Sequence, residues 1–251
     1  ASHMICSRML GRVRCFPSYE LTPFGDKLQV SRSRLPHAVV VALGHGMGDE
    51  PLVEMLGTFF TAAINLILHG RGVYPKAAFE RCRLFDVPIH VTRHPEVRDY
   101  IALVVRGARE LVARGEARSL VVLVLGAPAD GQSQPPVLER FVFELGLSLG
   151  ASGTDRAELR GQLRGFLVKL NFCDSLLSPL PPGGLEFGVE VHTQAAAGEP
   201  TSEELRELWV ECDLQSEVGR PASAQVVPLK SVNSPELSMQ LFVMEAASKG
   251  G

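Results

Sequence analysis

Two glycine-rich stretches carry the residue types and spacing of known functional motifs. Residues 44–49 read Gly-His-Gly-Met-Gly-Asp, between an apolar run at 38–43 and a predicted helix, as in a phosphate-binding turn. Residues 146–150 match G-x-S-x-G, the pattern that exposes a nucleophilic serine, here Ser148. Asp174 and His192 follow in the chain order of a hydrolase triad. Nucleotide binding and hydrolysis are therefore the two chemistries to weigh.

Neither motif is complete. The first has G-x-G-x-G spacing rather than G-x-G-x-x-G, and Asp49 and Glu50 would repel a phosphate from the positive end of the following helix. Ser148 is followed by residues 149–154, which are loop-like, whereas the elbow needs a helix to begin at once. H-E-x-x-H and C-x-x-C patterns are absent from the sequence, so no metal site and no cofactor are expected. We predict no catalytic residue and a protein that is not an enzyme.

Composition narrows the class of protein further. The chain has 251 residues, a net charge of −3, and five scattered cysteines. This charge gives no general attraction to nucleic acid, so direct nucleic-acid binding is not expected. The cysteines fit a reducing compartment, cytosol or nucleus, and no apolar run has the length of a membrane span. Residues 1–4 resemble an expression-vector scar and are set aside.

One stretch, residues 155–193, organises the predicted fold. Asp155 is a helix cap, with Glu158 placed to close a capping box. Apolar residues then recur at three- and four-residue steps from Leu159 to Leu177, until prolines and glycines at 179–184 end the helix. Strict alternation over 185–193 predicts a strand with one buried face. The helix stripe should pack on that face of a sheet.

The remaining elements complete an α+β fold. A helix that is apolar nearly all round is predicted over 51–68 and a second amphipathic helix over 95–114. Strands are predicted at 38–43, 120–125, 137–145, 226–229 and 239–243, with a loop and short extended pieces over 73–91 and a short helical turn or strand over 203–209. Three main helices should therefore pack on one face of a mostly antiparallel sheet.

Two aromatic residues have two interpretations each. Trp209 is the single tryptophan and lies in a polar C-terminal region, and Tyr100 begins the second helix. Both are either packing anchors or binding hot spots.

A series of short motifs resembles one family, the HORMA-domain accessory subunit of translesion DNA polymerase zeta, a mitotic-arrest-deficient-like protein. The matching residues occur in order and cover about 39–251. They are Val73-Tyr74-Pro75, Phe79, Val87-Pro88, His94-Pro95, Tyr100-Ile101, the run 139–144, Leu163-Arg164, Phe166, Lys169, Cys173-Asp174, Pro181-Pro182-Gly183, Val191-His192-Thr193, Pro228-Leu229-Lys230 and the run 239–243.

The resemblance implies a non-catalytic adaptor with a HORMA domain over 38–251. Its core would be 38–193, and residues 194–251 would form a C-terminal "safety belt" that closes over a partner peptide added to the sheet edge. Tyr100 and Trp209 match the pair that clasps a proline-containing peptide of the polymerase zeta catalytic subunit. Val226, Gln240 and Phe242 match the contact with a Y-family scaffold polymerase. Arg81 and Arg164 match a self-association face, for a second copy or another HORMA protein.

The belt composition agrees with this interpretation. Residues 194–225 carry few large apolar side chains, so the belt cannot form a second core and should lie on the first domain, from which we expect release at modest cost. The expected location is the nucleus, with the cytoplasm as a second site. The alternative function is a HORMA adaptor of checkpoint or meiotic signalling with the same clasp.

The extension 5–37 has no clear counterpart in the family. It is either a flexible arm or a peptide that docks on the domain, with anchors at 21–24 and 28–30. We hypothesise that residues 21–30 occupy the belt's peptide site and that the strand 38–43 competes with the belt for a sheet edge.

Overall fold

The computed structural model of the chain describes residues 13–15, 50–128, 135–148, 155–193, 210–212, 224–247 and 249. The predicted strand 38–43, the glycine-rich turn 44–49 and the predicted short element 203–209 lie outside these residues, as do the peptide anchors at 21–30. The hypotheses on those segments stay predictions.

Three α-helices lie in the described ranges, as predicted. They are α1 (Leu52–Gly70), α2 (Pro95–Ala113) and α3 (Arg156–Asn171). Asp155 caps α3 as expected, because its Oδ1 accepts a hydrogen bond from the amide of Ala157 at 2.9 Å. Glu158, which was expected to close a capping box, accepts a hydrogen bond from the side chain of Gln162 at 3.2 Å.

The described strands form two sheets in which neighbours run antiparallel. The strands are β1 (Val13–Cys15), β2 (Phe79–Leu84), β3 (Val87–Thr92), β4 (Ala117–Leu125), β5 (Val137–Leu147), β6 (Glu186–Thr193), β7 (Val210–Cys212), β8 (Ala224–Asn233) and β9 (Leu237–Ala246). A seven-stranded sheet has the order β7-β1-β6-β4-β5-β9-β8, and β2 and β3 form a separate hairpin. This confirms the mostly antiparallel α+β architecture.

Helix α1 is the centre of the core. Its Phe59 ring makes edge contacts with Phe143 of β5 at 5.9 Å and with Phe166 of α3 at 6.0 Å between ring centroids. Thirteen of the 19 residues of α1 are buried, as its nearly all-round apolar sequence predicts. By length and composition alone α1 could cross a membrane, but 72% of its most apolar window is buried inside the protein. It is therefore the core helix of the domain.

The end of α3 differs from the prediction. The sequence pattern continues helical spacing to Leu177, whereas α3 ends at Asn171 and a 3-10 turn covers Cys173–Leu176. The apolar stripe is still correct, because Leu159, Cys173 and Leu177 are all buried. A tighter turn keeps the same side inward, so periodicity alone could not place the helix end.

The β2–β3 hairpin replaces the predicted loop and extended pieces over 73–91. Its two-residue turn, Phe85 and Asp86, has φ angles of 47° and 60°. Left-handed turns of this kind are usually built from glycine or asparagine. The sequence pattern therefore did not predict the hairpin.

Two histidine rings hold this hairpin against the end of α1. His69 of α1 stacks on His90 of β3, with ring centroids 3.7 Å apart, and meets the edge of Phe79 at 5.1 Å. Burial, then the partner histidine and Lys76, lower the pKa of His69 below its ordinary value. Burial, then Arg81 and Lys76, lower the pKa of His90. The stack therefore favours neutral rings.

The C-terminal hairpin β8–β9 is built into the core, which corrects one expectation. Strand β9 pairs with β5 over nine residue pairs, and Leu237, Met239, Leu241 and Val243 are at most 1% exposed. Release of this half of the belt from the sheet would expose four core side chains, each contributing roughly 1.5–3 kcal/mol. The modest release cost expected from sequence is therefore wrong for residues 237–243.

Polar contacts attach the β8–β9 hairpin to its neighbours. Arg156 at the start of α3 donates to Glu236 at 2.6 Å, and the amide of Ser148 donates to the Glu236 carbonyl at 3.1 Å. Lys230 of β8 lies over the Phe166 ring, with its Nζ 5.6 Å from the centroid. The hairpin is thus attached to both β5 and α3.

Candidate functional site

The edge of the sheet beside β6 holds an extra strand. On one side β6 pairs with β4, and on the other it pairs with β1 in the register Val13 to His192, Arg14 to Val191 and Cys15 to Glu190. Strand β1 pairs in turn with β7, with Val13 opposite Cys212 and Cys15 opposite Val210. A strand from the N-terminal extension is therefore held between the domain edge and the predicted belt.

Backbone pairing on both sides gives this edge a defined binding chemistry. A strand placed between β6 and β7 has its amide and carbonyl groups satisfied by both neighbours, whatever its side chains. Side-chain pockets then supply the specificity. The edge is suited to an extended peptide, in agreement with the clasp that the resemblance implies.

Aromatic residues lie beneath this edge. Phe187 of β6 makes edge contacts with Tyr100 of α2, at 5.4 Å between ring centroids, and with Tyr74, at 6.2 Å. Tyr100 is 5% exposed and belongs to the core cluster. Burial, then the charge of Glu186, raises the pKa of Tyr74 to about 12. Of the predicted clasping pair, Tyr100 lies under the edge, whereas Trp209 precedes β7 directly and is outside the described residues.

The other face of β6 carries an ion pair. Arg140 of β5 donates to Glu190 Oε2 at 2.5 Å, and His192 Nε2 lies 3.1 Å from the same oxygen. Burial alone would raise the pKa of Glu190, but the hydrogen bond with His192 and the charge of Arg140 lower it below its ordinary value. This face, opposite the predicted buried face of the strand, is therefore half-buried and ion-paired.

The predicted scaffold-polymerase contacts lie at the opposite edge of the sheet. Val226 of β8 is 54% exposed, and it pairs with Met244 of β9, two positions from Phe242. Gln240 is exposed and Phe242 is half-buried. Alternate residues of a strand share a face, so all three belong to the outward face of the β8–β9 hairpin. The structure brings these residues together, and their role stays a prediction.

The predicted self-association residues are both at the surface. Arg81 of β2 and Arg164 of α3 are exposed. One and two helical turns beyond Arg164, Val168 and Phe172 are 37% and 67% exposed. No described contact joins Arg81 to Arg164, so their common role also stays a prediction.

The three residues of the hydrolase-like pattern each contact a different partner. Asp174 pairs with Arg71, and His192 pairs with Glu190 on the sheet. Ser148 directly follows β5, and its amide donates a hydrogen bond to the carbonyl of Glu236. In the ranges that the structure covers, no three His, Cys, Asp or Glu residues are grouped as metal ligands.

A buried ionic cluster was missed by the sequence reasoning. Arg71, just after α1, donates from Nε to Glu139 Oε2 at 2.8 Å and from a terminal nitrogen to Glu139 Oε1 at 2.6 Å. Arg71 also pairs with Asp174, and Lys249 pairs with both Glu139 and Glu245. Burial alone would lower the pKa of Arg71, but Glu139 and Asp174 raise it above the ordinary value.

A signal for this cluster was present in strand β5. Glu139 occupies the same alternating face as Phe141, Phe143 and Leu145, so period-two counting places it in the core, where a charge needs a partner. We call Arg71, Glu139, Glu245 and Lys249 the buried ionic cluster. It attaches the end of the C-terminal hairpin to the core.

Comparison with known proteins identifies the family. The chain is 33% identical to the mitotic spindle assembly checkpoint protein MAD2B of Danio rerio over 207 residues, 80% of this chain and 93% of that protein. It is 32% identical to the DNA polymerase zeta processivity subunit of Arabidopsis thaliana over 186 residues, 74% of this chain and 81% of that protein. No protein-family model matches the chain.

Solved structures agree on the fold. A chain of the mitotic checkpoint complex matches with a TM-score of 0.63 at 21% identity, covering 77% of this chain and 97% of that one. C. elegans HTP-2 bound to a HIM-3 closure motif matches with a TM-score of 0.59 at 13% identity, covering 78% of this chain and 90% of that one. These likenesses show the HORMA fold. The chain therefore belongs to the MAD2B family of HORMA-domain proteins, which includes the processivity subunit of DNA polymerase zeta.

Proposed function

We propose that this protein is a non-catalytic adaptor that holds an extended, proline-containing peptide between β6 and the belt strand β7. One observation carries the proposal: the sheet edge already holds a strand that is hydrogen-bonded on both sides, with a belt segment as its outer neighbour. The HTP-2 structure, with its bound closure motif, belongs to a protein of the same fold. The catalytic patterns are not assembled in the described residues.

We further propose that the peptide comes from the catalytic subunit of DNA polymerase zeta, since a relative in Arabidopsis thaliana is named as a subunit of that polymerase. The second partner is a Y-family scaffold polymerase, bound on the outward face at Val226, Gln240 and Phe242. Translesion synthesis in the nucleus is the corresponding role.

The sheet supports simultaneous binding of the two partners. Strands β7 and β8 are the outermost strands at opposite edges of the seven-stranded sheet. With strands about 4.8 Å apart, these edges are separated by roughly 29 Å. The peptide and the scaffold polymerase would therefore not compete for the same surface, as an adaptor requires.

Two substitutions in the full chain test this assignment. Trp209→Ala should weaken binding of a synthetic peptide from the polymerase zeta catalytic subunit by about 2 kcal/mol, the usual loss at a buried aromatic contact. Val226→Ala is the matched control, because Val226 lies at the other edge. It should leave peptide binding unchanged and weaken binding of the scaffold polymerase. Calorimetry on both ligands measures the two affinities, and equal losses of peptide binding in both variants would refute the assignment of separate sites.

The second candidate function is an adaptor of checkpoint signalling with the same clasp. It is favoured by the name of the relative in Danio rerio, a spindle assembly checkpoint protein. Recovery of checkpoint proteins, with no polymerase subunit, in a Trp209-dependent pull-down would select it.

A further inference from the structure

The strand beneath the belt belongs to the chain itself. Residues 13–15 precede the family-like part of the sequence, which begins at about residue 39, and they pair with the C-terminal half of β6 and with β7. A single strand fits between these two partners, because each edge of a strand accepts one neighbour. A partner peptide that uses the same edge must therefore replace β1.

Strand β1 covers only part of the edge. Its register meets Glu190, Val191 and His192, whereas β6 extends from Glu186 to Thr193. Over residues 186–189, β6 pairs with β4 on its inner side, and no described strand pairs with its outer side. We call residues 186–189 of β6, which have no outer partner among the described residues, the open stretch.

The two halves of the belt differ in how firmly they are held. The β8–β9 hairpin is attached through nine pairs with β5 and through buried side chains, whereas β7 pairs over three residues with β1. Among the described residues, β1 is the strand that connects β7 to the sheet. Loss of β1 without replacement would leave an unpaired edge on β6, a known hazard for aggregation.

We propose that residues 13–15 are an intramolecular placeholder, which fills the partner-peptide position and is displaced by an extended peptide that starts on the open stretch. This rests on the proposed function for the identity of the guest, but not for the occupancy of the edge by β1. The placeholder keeps β7 paired while no partner is bound. The guest must be longer than β1, since it has to pair along the open stretch and then along residues 190–192.

A proline substitution tests the displacement. In the full chain, Arg14→Pro removes a backbone donor from a strand that is hydrogen-bonded on both sides. If β1 fills the site nine-tenths of the time, this variant should bind the synthetic polymerase zeta peptide about tenfold more tightly than wild type, because the competent fraction rises to one. Gln29→Pro, in the same extension, is the matched control and should bind like wild type.

The outcomes discriminate between occupants. Tighter binding by Gln29→Pro and not by Arg14→Pro would overturn the proposal in favour of residues 21–30. Equal affinity of wild type and both variants would overturn it as well. Shortening the peptide so that it covers residues 190–192 and not the open stretch should slow its association with wild type and not with Arg14→Pro.

A reversible cross-link gives the second test. Val13→Cys in a Cys15→Ser background places a thiol directly opposite Cys212. Opposite residues of an antiparallel pair have Cα atoms about 4.5–5.5 Å apart, which a disulfide spans. Oxidation should give the intramolecular 13–212 disulfide, identified by mass spectrometry, and should block peptide binding, and reduction should restore it. A disulfide that fails to form, one that joins two copies, or an oxidised protein that still binds peptide would each overturn the proposal.

Hydrogen exchange separates failure of the placeholder from failure of the proposed function. In the free protein the amides of residues 13–15 should exchange slowly, and they should become fast when the peptide is added. Fast exchange in the free protein would refute the placeholder even if the peptide binds. Slow exchange together with no peptide binding by any variant would instead refute the proposed function and leave the occupancy of the edge by β1 standing.

Discussion

Replacement of Glu139 by glutamine is the sharpest test of how the C-terminal hairpin is held. Glu139→Gln keeps the shape of the side chain and removes its charge. The side chains of Arg71 and Glu139 are 2% and 0% exposed, and Lys249 also contacts Glu139. The variant would leave two buried cations to share Glu245 and the largely exposed Asp174.

The expected loss follows from the burial of this pair. Removal of one partner of a buried ion pair typically costs about 3–5 kcal/mol, because the remaining charge is desolvated and uncompensated. Asp174 and the carbonyl of Ser178 still contact Arg71, so we expect the lower end of that range, about 3 kcal/mol. This is a large part of the stability of a typical domain, about 5–15 kcal/mol.

Urea unfolding at pH 7, followed by circular dichroism, measures the loss. The control is Glu54→Gln, which removes the same charge from an ion pair with Arg109 whose side chains are 47% and 36% exposed. Exposed pairs contribute about 0–1 kcal/mol. If both variants lost less than 1 kcal/mol of unfolding free energy, Glu139 would not be the carboxylate that neutralises Arg71 and Lys249 in a buried site. The double variant Arg71→Met with Glu139→Leu should lose less free energy of unfolding than the sum of its two single variants. The reason is that neither partner of the pair is then left as an unpaired buried charge.

Three further predictions concern other parts of the molecule. Asp155→Ala should destabilise the protein by about 1 kcal/mol through loss of the α3 cap, measured by urea unfolding, and no loss would contradict the role of that hydrogen bond. The pKa values of His69 and His90 are lowered in the fold, so the unfolded chain binds more protons and stability should fall as pH drops below the unfolded value of about 6.5. The double variant His69→Gln and His90→Gln should show a smaller fall between pH 7 and pH 5, and an unchanged slope would refute this. Arg164→Glu with Phe172→Ser should lower any self-association seen by analytical ultracentrifugation, and an unchanged mass distribution would remove α3 from that interface.

Local patterns in the sequence predict most of the elements. The three helices, strands β4 and β5 and the alternation of β6 all follow from apolar spacing, since these elements bury one face against a single core. The β2–β3 hairpin was missed because Phe85 and Asp86 take left-handed angles that such residues rarely adopt. The buried ionic cluster was missed because Arg71 and Glu139 are far apart in the chain, and periodicity does not report long-range pairing.

The candidate site shows the same limit. The resemblance led to the belt and to Tyr100 and Trp209, and the structure puts Tyr100 beneath the β6 edge. No local pattern in residues 13–15 predicts that they enter the sheet, because a three-residue strand takes its stability from its neighbours rather than from its own composition. The anchors expected at 21–24 and 28–30 follow instead from their apolar side chains.

The pairing of β1 with β6 joins residues that are 175 to 179 positions apart in the chain. Contacts of such high sequence separation form late in folding, because the entropy of closing a very long loop must be lost before they stabilise the protein. Residues 13–15 leave the ribosome before β6, but they pair with it only after this long loop has closed. Until then β1 does not cover the β6 edge, and a partner made at the same time meets no competitor. Co-expression should therefore load the protein faster than mixing of the two purified components.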